Sequence, residues 1–515
     1  MIDISSKTTV RRLWENSVER RGDHEFLVFL DNTNKSADHY TYSDFDCLVN
    51  QSANLLHSFG IGQGDKVGVQ LGNSALFVEC FLAIAKLGAV IVPIGCEDTD
   101  FERQYLLDLC EAKVFVQSAE FVTGRKPPSG VFVVTSGSGD ADGYETLRDQ
   151  QSSLFEFDEC CEDTDLAEIL FTSGTTSKPK GVMLTVANLV FSAYFCNWEL
   201  QMTADDRYFT TMAVDRVNFQ LSALLPVISI GATLILAKKY SASRFWSQVV
   251  ATKATLVQSM AMIVHTLMRQ PKQIGENNHQ VRLVHHFLPL SLREKSSFEK
   301  RFNVTLVNNY GTSETLVGVI TDIPGQAGNW PSIGRPGLGY QAKIVNDSGD
   351  EVSPYQVGEI LIHGDIGRTL MAGYWKDPVA TDAVIDSDGW FHSGDCGYLD
   401  DEGWLYFVDR QADIIKRAGE NISAGEVQEV LAEFPGIDSI AVIGVPDSIR
   451  DEAVKAVVVM EDGQDLDRKA LLRFARTRLA SYKVPTIIEV RDSLPRGAYG
   501  KVKKYLLKNC ERTIT

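Results

Sequence analysis

Between Tyr42 and Ile94 the spacing of apolar residues switches repeatedly between two periods, and this alternation narrows the possible architectures to one class. Phe45, Leu48, Val49, Ser52, Leu55, Leu56 and Phe59 recur at helical spacing, and Gly60 follows as a helix terminator. Lys66–Leu71 then alternates as a strand, Ala75–Leu87 returns to the helical period and stops at Gly88, and Ala89–Ile94 is a continuous apolar strand. Two strands joined through a helix make a βαβ unit, because parallel neighbours need a crossover connection. Repetition of such units to about residue 400 predicts a layered α/β fold with largely parallel sheets.

A chain of 515 residues exceeds one typical domain. After Asp409-Arg410-Gln411-Ala412 the pattern changes to a helix from Gly425, strands over Ile440–Val445 and Ala453–Met460, and a helix over Leu466–Leu479. This predicts a large N-terminal α/β domain over 1–409 and a small C-terminal α+β domain over 410–515. Ser136–Gly143 and Asp158–Asp165 read as surface turns.

The formal charge of -18 opposes general nucleic-acid binding, and no basic tract offsets it. The same charge repels polyanionic nucleotides, so a nucleotide site must be built locally from lysine, arginine, backbone amides and metal. The most apolar stretch, Leu76–Gly95, is interrupted by Glu79 and Lys86 and closed by Pro93, which argues against a membrane span. Met1–Ser5 has neither an apolar core nor a basic leader, and the nine cysteines show no metal-like spacing; a cytoplasmic protein with reduced thiols is expected.

The segment Ile169–Val182 runs from an apolar strand into Thr172-Ser173-Gly174-Thr175-Thr176-Ser177-Lys178-Pro179-Lys180-Gly181. Glycine admits close backbone approach, the hydroxyls donate hydrogen bonds and lysine supplies positive charge, a composition suited to holding phosphates. It is not a Walker A loop, because lysine precedes glycine and Pro179 breaks the local backbone.

With this loop, the chain resembles the acyl-adenylate-forming superfamily of acyl-CoA synthetases, luciferases and adenylation domains. Further motifs recur in family order: Tyr310-Gly311-Thr312-Ser313-Glu314-Thr315, Phe391-His392-Ser393-Gly394-Asp395, Asp409-Arg410, Lys416–Asn421 and Pro495–Lys501. The resemblance implies ATP, Mg2+ and coenzyme A as cofactor and cosubstrates of a small carboxylic acid. It makes Lys501, Glu314 and Thr172 catalytic, with Glu314 also the magnesium ligand. ATP or AMP would be held by Thr172, Ser173, Gly174, Thr175, Thr176, Lys180, Tyr310, Gly311, Thr312, Ser313, Asp395, Arg410 and Lys501. Gly419, Glu420 and Asn421 would face coenzyme A. The small domain would be a mobile lid pivoting at Ala412, serving adenylation and then thioester formation.

Within the superfamily, Lys239–Trp246, Trp330–Arg335 and Asp447–Ala453 are similar to bacterial crotonobetaine/carnitine–CoA ligases, as is Ser177 in place of the usual glycine. Such acids carry a trimethylammonium group, which suits an aromatic face with a carboxylate; Asp215, Phe219 and Trp198 are the candidates. Two stretches depart from the family pattern. Asp215-Arg216 stands where relatives have an aromatic–histidine pair, and Val284–Pro289 lacks the usual small residues of the adenine wall. The alternatives are a ligase for a short- or medium-chain fatty acid, a stand-alone adenylation enzyme, or a nucleotide-binding homologue without catalysis. The oligomeric state is left open.

Overall fold

The computed structural model describes residues 8–31, 37–122, 128–158, 161–172, 179–287, 290, 292–316, 318–346, 348–410, 414–418, 420–461, 463–495, 502, 504 and 507. The expected βαβ unit is formed. Helix Tyr42–Ser58 begins with a capping box in which Thr41 and Asp44 satisfy each other's backbone amides. Ser74 caps Ala75–Lys86 through the Phe77 amide. Gly88, at φ +62°, turns the chain into Val90–Pro93, which pairs in parallel with Lys66–Gln70, Val67 opposite Ile91.

By compactness the chain divides into two units. One comprises Met1–Cys96, Leu106–Leu170 and Gly181–Asp409; the other comprises Glu97–Tyr105, Phe171–Lys180 and Arg410–Thr515. Two short N-terminal stretches therefore group with the C-terminal residues.

The first unit is built on two large sheets with parallel centres. A nine-stranded sheet runs from Arg335–Pro336 through Ile320–Thr321, Leu306–Tyr310, Leu283–Phe287, Leu256–Met260, Arg207–Thr210, Thr233–Ala237 and Glu25–Leu30 to Asp38–Thr41. A seven-stranded sheet places Leu166–Thr172 beside Val90–Pro93. Strands of both sheets and their helices contribute to one apolar core in which Trp14, Phe26, Tyr42 and Phe45 form an aromatic cluster.

The parallel pattern ends earlier than the sequence predicts. Gln341–Val345, Gly358–His363, Trp390–Leu399 and Leu405–Arg410 form a four-stranded sheet, with its first two pairings antiparallel. Polar turns cause the change: Asn346 Oδ1 accepts from the Ser348 and Asp350 amides, and Asp400 Oδ1 accepts from those of Glu402 and Trp404. Such closures reverse the chain without a crossover helix.

In the second unit, Ile437–Asp447 and Asp451–Met460 form a long antiparallel pair. Helices Ala424–Ala432 and Arg468–Arg476 complete an α+β arrangement around Val427, Leu431, Val442, Val454 and Leu471.

Candidate functional site

The ends of strands in the first unit bring two sequence-separated motifs together. Leu306–Tyr310 ends at Tyr310, whose hydroxyl donates to Asp395 Oδ2 at 2.7 Å. Asp395 is only 2% exposed and lies in strand Trp390–Leu399, whose pairing with Gly358–His363 shifts register between Glu359 and Leu361. Gly394 adopts φ +66° and its amide donates to Glu359 Oε1 at 3.0 Å; Ser393 Oγ donates to the Ile360 carbonyl at 2.6 Å and accepts from the Asp395 amide at 3.1 Å. The result is a buried carboxylate held in a fixed position.

Gly311, Thr312 and Ser313 lead from Tyr310 into a turn bearing Glu314. The Thr312 amide donates to Thr315 Oγ1 at 2.9 Å, and the Met371 amide donates to the Glu314 carbonyl at 2.8 Å. Tyr374 donates its hydroxyl to Glu314 Oε1 at 2.8 Å, and burial together with that carboxylate pushes the phenol pKa far above its ordinary value. Glu314 is half-buried, fixed at one oxygen. Among the described residues no group of three or more His, Cys, Asp or Glu could hold a metal ion. One carboxylate beside a nucleotide suits magnesium, which takes much of its octahedral shell from phosphate and water oxygens.

Thr172 ends strand Leu166–Thr172, and Lys180 opens Lys180–Thr185. Ser173, Gly174, Thr175 and Thr176 between them lie outside the described residues, as do Lys501, Gly419 and Ala412. The side chains of Arg410 and Asn421 also lie outside what is described; Glu420 opens Glu420–Ser423, paired with Arg417 of Ile414–Arg417.

The acid-recognition candidates are placed separately. Asp215 Oδ2 lies 3.8 Å from Arg216 Nε. Trp198 is half-buried and meets Phe195 edge-on, with centroids 5.3 Å apart. Phe219 is fully buried and meets Phe77 in the core. No hydrogen bond or ring contact among the described residues joins these three candidates, and the Phe219 ring lies fully buried in the core. In the departing wall segment, His285 is buried between the Tyr208 hydroxyl, 2.8 Å from Nδ1, and Glu199, 3.2 Å from Nε2.

Three amides that sequence reasoning missed hold the segment around Asp215. Asn73 donates to the Met212 carbonyl at 2.9 Å and accepts from the Val214 amide at 3.0 Å. Gln220 donates to the Val214 carbonyl at 3.0 Å, and Gln258 donates to the Asn218 carbonyl at 2.5 Å. Lone amides carry no motif. A single turn of π-helix over Gln220–Leu224 marks the place, a feature frequent at functional sites.

A family model described as AMP-binding enzyme matches residues 14–375, and one described as AMP-binding enzyme C-terminal domain matches 426–501. A crotonobetaine/carnitine–CoA ligase of Proteus mirabilis is 40% identical over 519 residues, covering 98% of this chain and 100% of that protein. One from Salmonella arizonae is 38% identical over 518 residues, with the same coverage of 98% and 100%. Among solved structures, the o-succinylbenzoate CoA synthetase of Bacillus subtilis superposes with a TM-score of 0.86 at 24% identity, covering 98% of this chain and 99% of that one. The amide bond synthetase of Marinactinospora thermotolerans superposes with a TM-score of 0.84 at 22% identity, covering 98% and 99%. The matched length, the two family segments in order and the paired Tyr310 and Asp395 lead to one assignment: the chain belongs to the AMP-binding enzyme family, close to the crotonobetaine/carnitine–CoA ligases.

Proposed function

We propose that this enzyme is an AMP-forming acid–CoA ligase acting on carnitine, crotonobetaine or γ-butyrobetaine. The observation that carries this reading is the full-length likeness to crotonobetaine/carnitine–CoA ligases at 40% identity. In the first half-reaction an oxygen of the acid's carboxylate bonds to the α-phosphorus of ATP and the bond to pyrophosphate breaks. In the second, the thiol of coenzyme A attacks the acyl carbon, its proton is lost and AMP departs. Asp395, oriented by Tyr310, accepts hydrogen bonds from the ribose hydroxyls, and Arg410 assists. Thr172, Ser173, Gly174, Thr175, Thr176 and Lys180 cradle the phosphates, while Gly311, Thr312 and Ser313 flank the adenylate. Glu314 would hold magnesium, which when bound would supply positive charge toward the leaving pyrophosphate. Lys501 stabilises the negative charge developing there.

The functional division follows the boundary between 409 and 410, with Ala412 as pivot and Gly419, Glu420 and Asn421 facing coenzyme A. Asp215 is the counter-charge for the trimethylammonium group and Trp198 its aromatic face, with Phe219 as backing. A second reading, a ligase for an uncharged short- or medium-chain acid, is favoured by the 3.8 Å separation of Asp215 from Arg216, since the arginine already opposes that negative charge. CoA-dependent AMP release across carnitine, crotonobetaine, γ-butyrobetaine and plain acids tests both. Turnover confined to the betaines supports the first reading, and preference for uncharged acids overturns it.

A further inference from the structure

Strand Trp390–Leu399 carries more chain than its neighbour can pair. Glu359 lies opposite Cys396 and Leu361 opposite His392, so the single residue Ile360 faces Ser393, Gly394 and Asp395 together. The surplus leaves the ladder as an excursion, a device that re-aims side chains beside functional sites, and here it carries Asp395, the partner of the Tyr310 hydroxyl. Backbone groups drawn out of a ladder need other partners. Side chains provide them: Ser393 Oγ donates to the Ile360 carbonyl at 2.6 Å and accepts from the Asp395 amide at 3.1 Å, while the Gly394 amide donates to Glu359 Oε1 at 3.0 Å. The other oxygen of Glu359, Oε2, lies 3.1 Å from His392 Nδ1, at the start of the excursion. One carboxylate therefore holds both the entry and the apex. His392 Nε2 is 3.7 Å from Asp386 Oδ2 on its far side. An added Cβ at Gly394 would meet nothing within 4 Å, so the apex is held through its amide rather than by packing at that position.

We propose that Glu359 is a positioning residue for the nucleotide: by holding His392 and Gly394 it sets where Asp395 meets the ribose hydroxyls, and so governs ribose affinity without touching the nucleotide. This rests on the reading of Asp395 as the ribose acceptor. Hydrogen bonds to a carboxylate depend steeply on distance and direction, so a small rotation of the apex weakens them. The residue type fits the task. A carboxylate offers an oxygen to each of its two neighbours, whereas a glutamine amide offers one acceptor oxygen and alanine none.

The test measures Kd for ATP and for dideoxy-ATP, which lacks both ribose hydroxyls, by titration calorimetry with magnesium on the full-length parent, Glu359→Ala, Glu359→Gln and Asp395→Ala. The ratio of the two Kd values reads the ribose contacts, and general damage to the site weakens both nucleotides alike. In the parent, dideoxy-ATP is expected to bind about tenfold to a hundredfold more weakly than ATP, the scale of hydrogen bonds to a charged group. Glu359→Ala is expected to weaken ATP about tenfold and to leave dideoxy-ATP within about twofold, with Glu359→Gln between it and the parent. Combined with Asp395→Ala, Glu359→Ala is expected to have no further effect on ATP, because it acts through that carboxylate.

The parental ratio in Glu359→Ala, equal weakening of both nucleotides, or full additivity in the double variant overturns the proposal. If Asp395→Ala keeps the parental ratio, the ribose reading fails and the proposal with it; if the ratio collapses in Asp395→Ala but not in Glu359→Ala, the proposal alone fails. Binding needs no turnover, so the outcome is independent of whether any acid supports pyrophosphate exchange. If Glu359→Ala does not fold, Glu359→Gln decides: a ratio below that of the parent supports the proposal, and an unchanged ratio overturns it.

Discussion

Tyr310 and Asp395 show what one hydroxyl can contribute to a buried carboxylate. A buried carboxylate must keep partners, and the Tyr310 phenol supplies one of them to Asp395. Asp395→Asn removes the charge-assisted acceptor and is expected to raise KM for ATP about tenfold to a hundredfold, measured by pyrophosphate exchange. Tyr310→Phe is expected to act in the same direction but more weakly, because the carboxylate remains. Neither residue has a distinctive sequence signal alone. The glycine-rich loop and the ordered motifs made Tyr310 and Asp395 legible, whereas Glu359, Tyr374, Asn73 and Gln220 were not, since their contacts follow no local sequence motif.

At the scale of elements, glycines distinguish backbone need from steric need. Gly394 adopts φ +66° with nothing within 4 Å of an added Cβ, so Gly394→Ala meets only conformational strain, about 1 kcal/mol. Gly334 adopts φ +109°, and a Cβ there would lie 2.2 Å from the Thr321 carbonyl oxygen, so Gly334→Ala is expected to be the more damaging. Denaturant unfolding of the two variants checks this order. The helix limits around Tyr42 and Ala75 were readable because capping hydroxyls and glycine stops act locally. The antiparallel sheet after Gln341 was less readable, because strand direction depends on how each turn returns the chain.

For the whole molecule, pH and the two half-reactions provide the broadest tests. Burial raises the Glu79 pKa to about 7, opposed by Arg148, whose Nη1 lies 3.0 Å from Oε2. A carboxyl with a raised folded pKa binds its proton more tightly in the folded chain than in the unfolded one, so its contribution to stability is present at low pH. That contribution falls as pH rises from the ordinary carboxylate value toward about 7 for Glu79 and about 8 for Glu168. Melting temperature of the parent is expected to decline across this window, with a shallower decline in Glu168→Gln; identical slopes would contradict the sign. Lys501→Ala is expected to slow adenylation about a hundredfold to a thousandfold, yet to convert supplied acyl-adenylate and coenzyme A to thioester. Separate assays of the two half-reactions check it.

The amino-acid sequence by itself determined the βαβ units, the α+β character of the C-terminal part and the motifs of the adenylate-forming chemistry, because periodicity, caps and glycine-rich turns are properties of neighbouring residues. Tertiary structure alone decided that Tyr310 meets Asp395, that Phe219 is buried in the core, and that Glu168 is fully buried. These facts depend on which strands and turns become neighbours in space. Burial then selects the polar partners, because an unsatisfied group removed from water carries a cost that an exposed one does not.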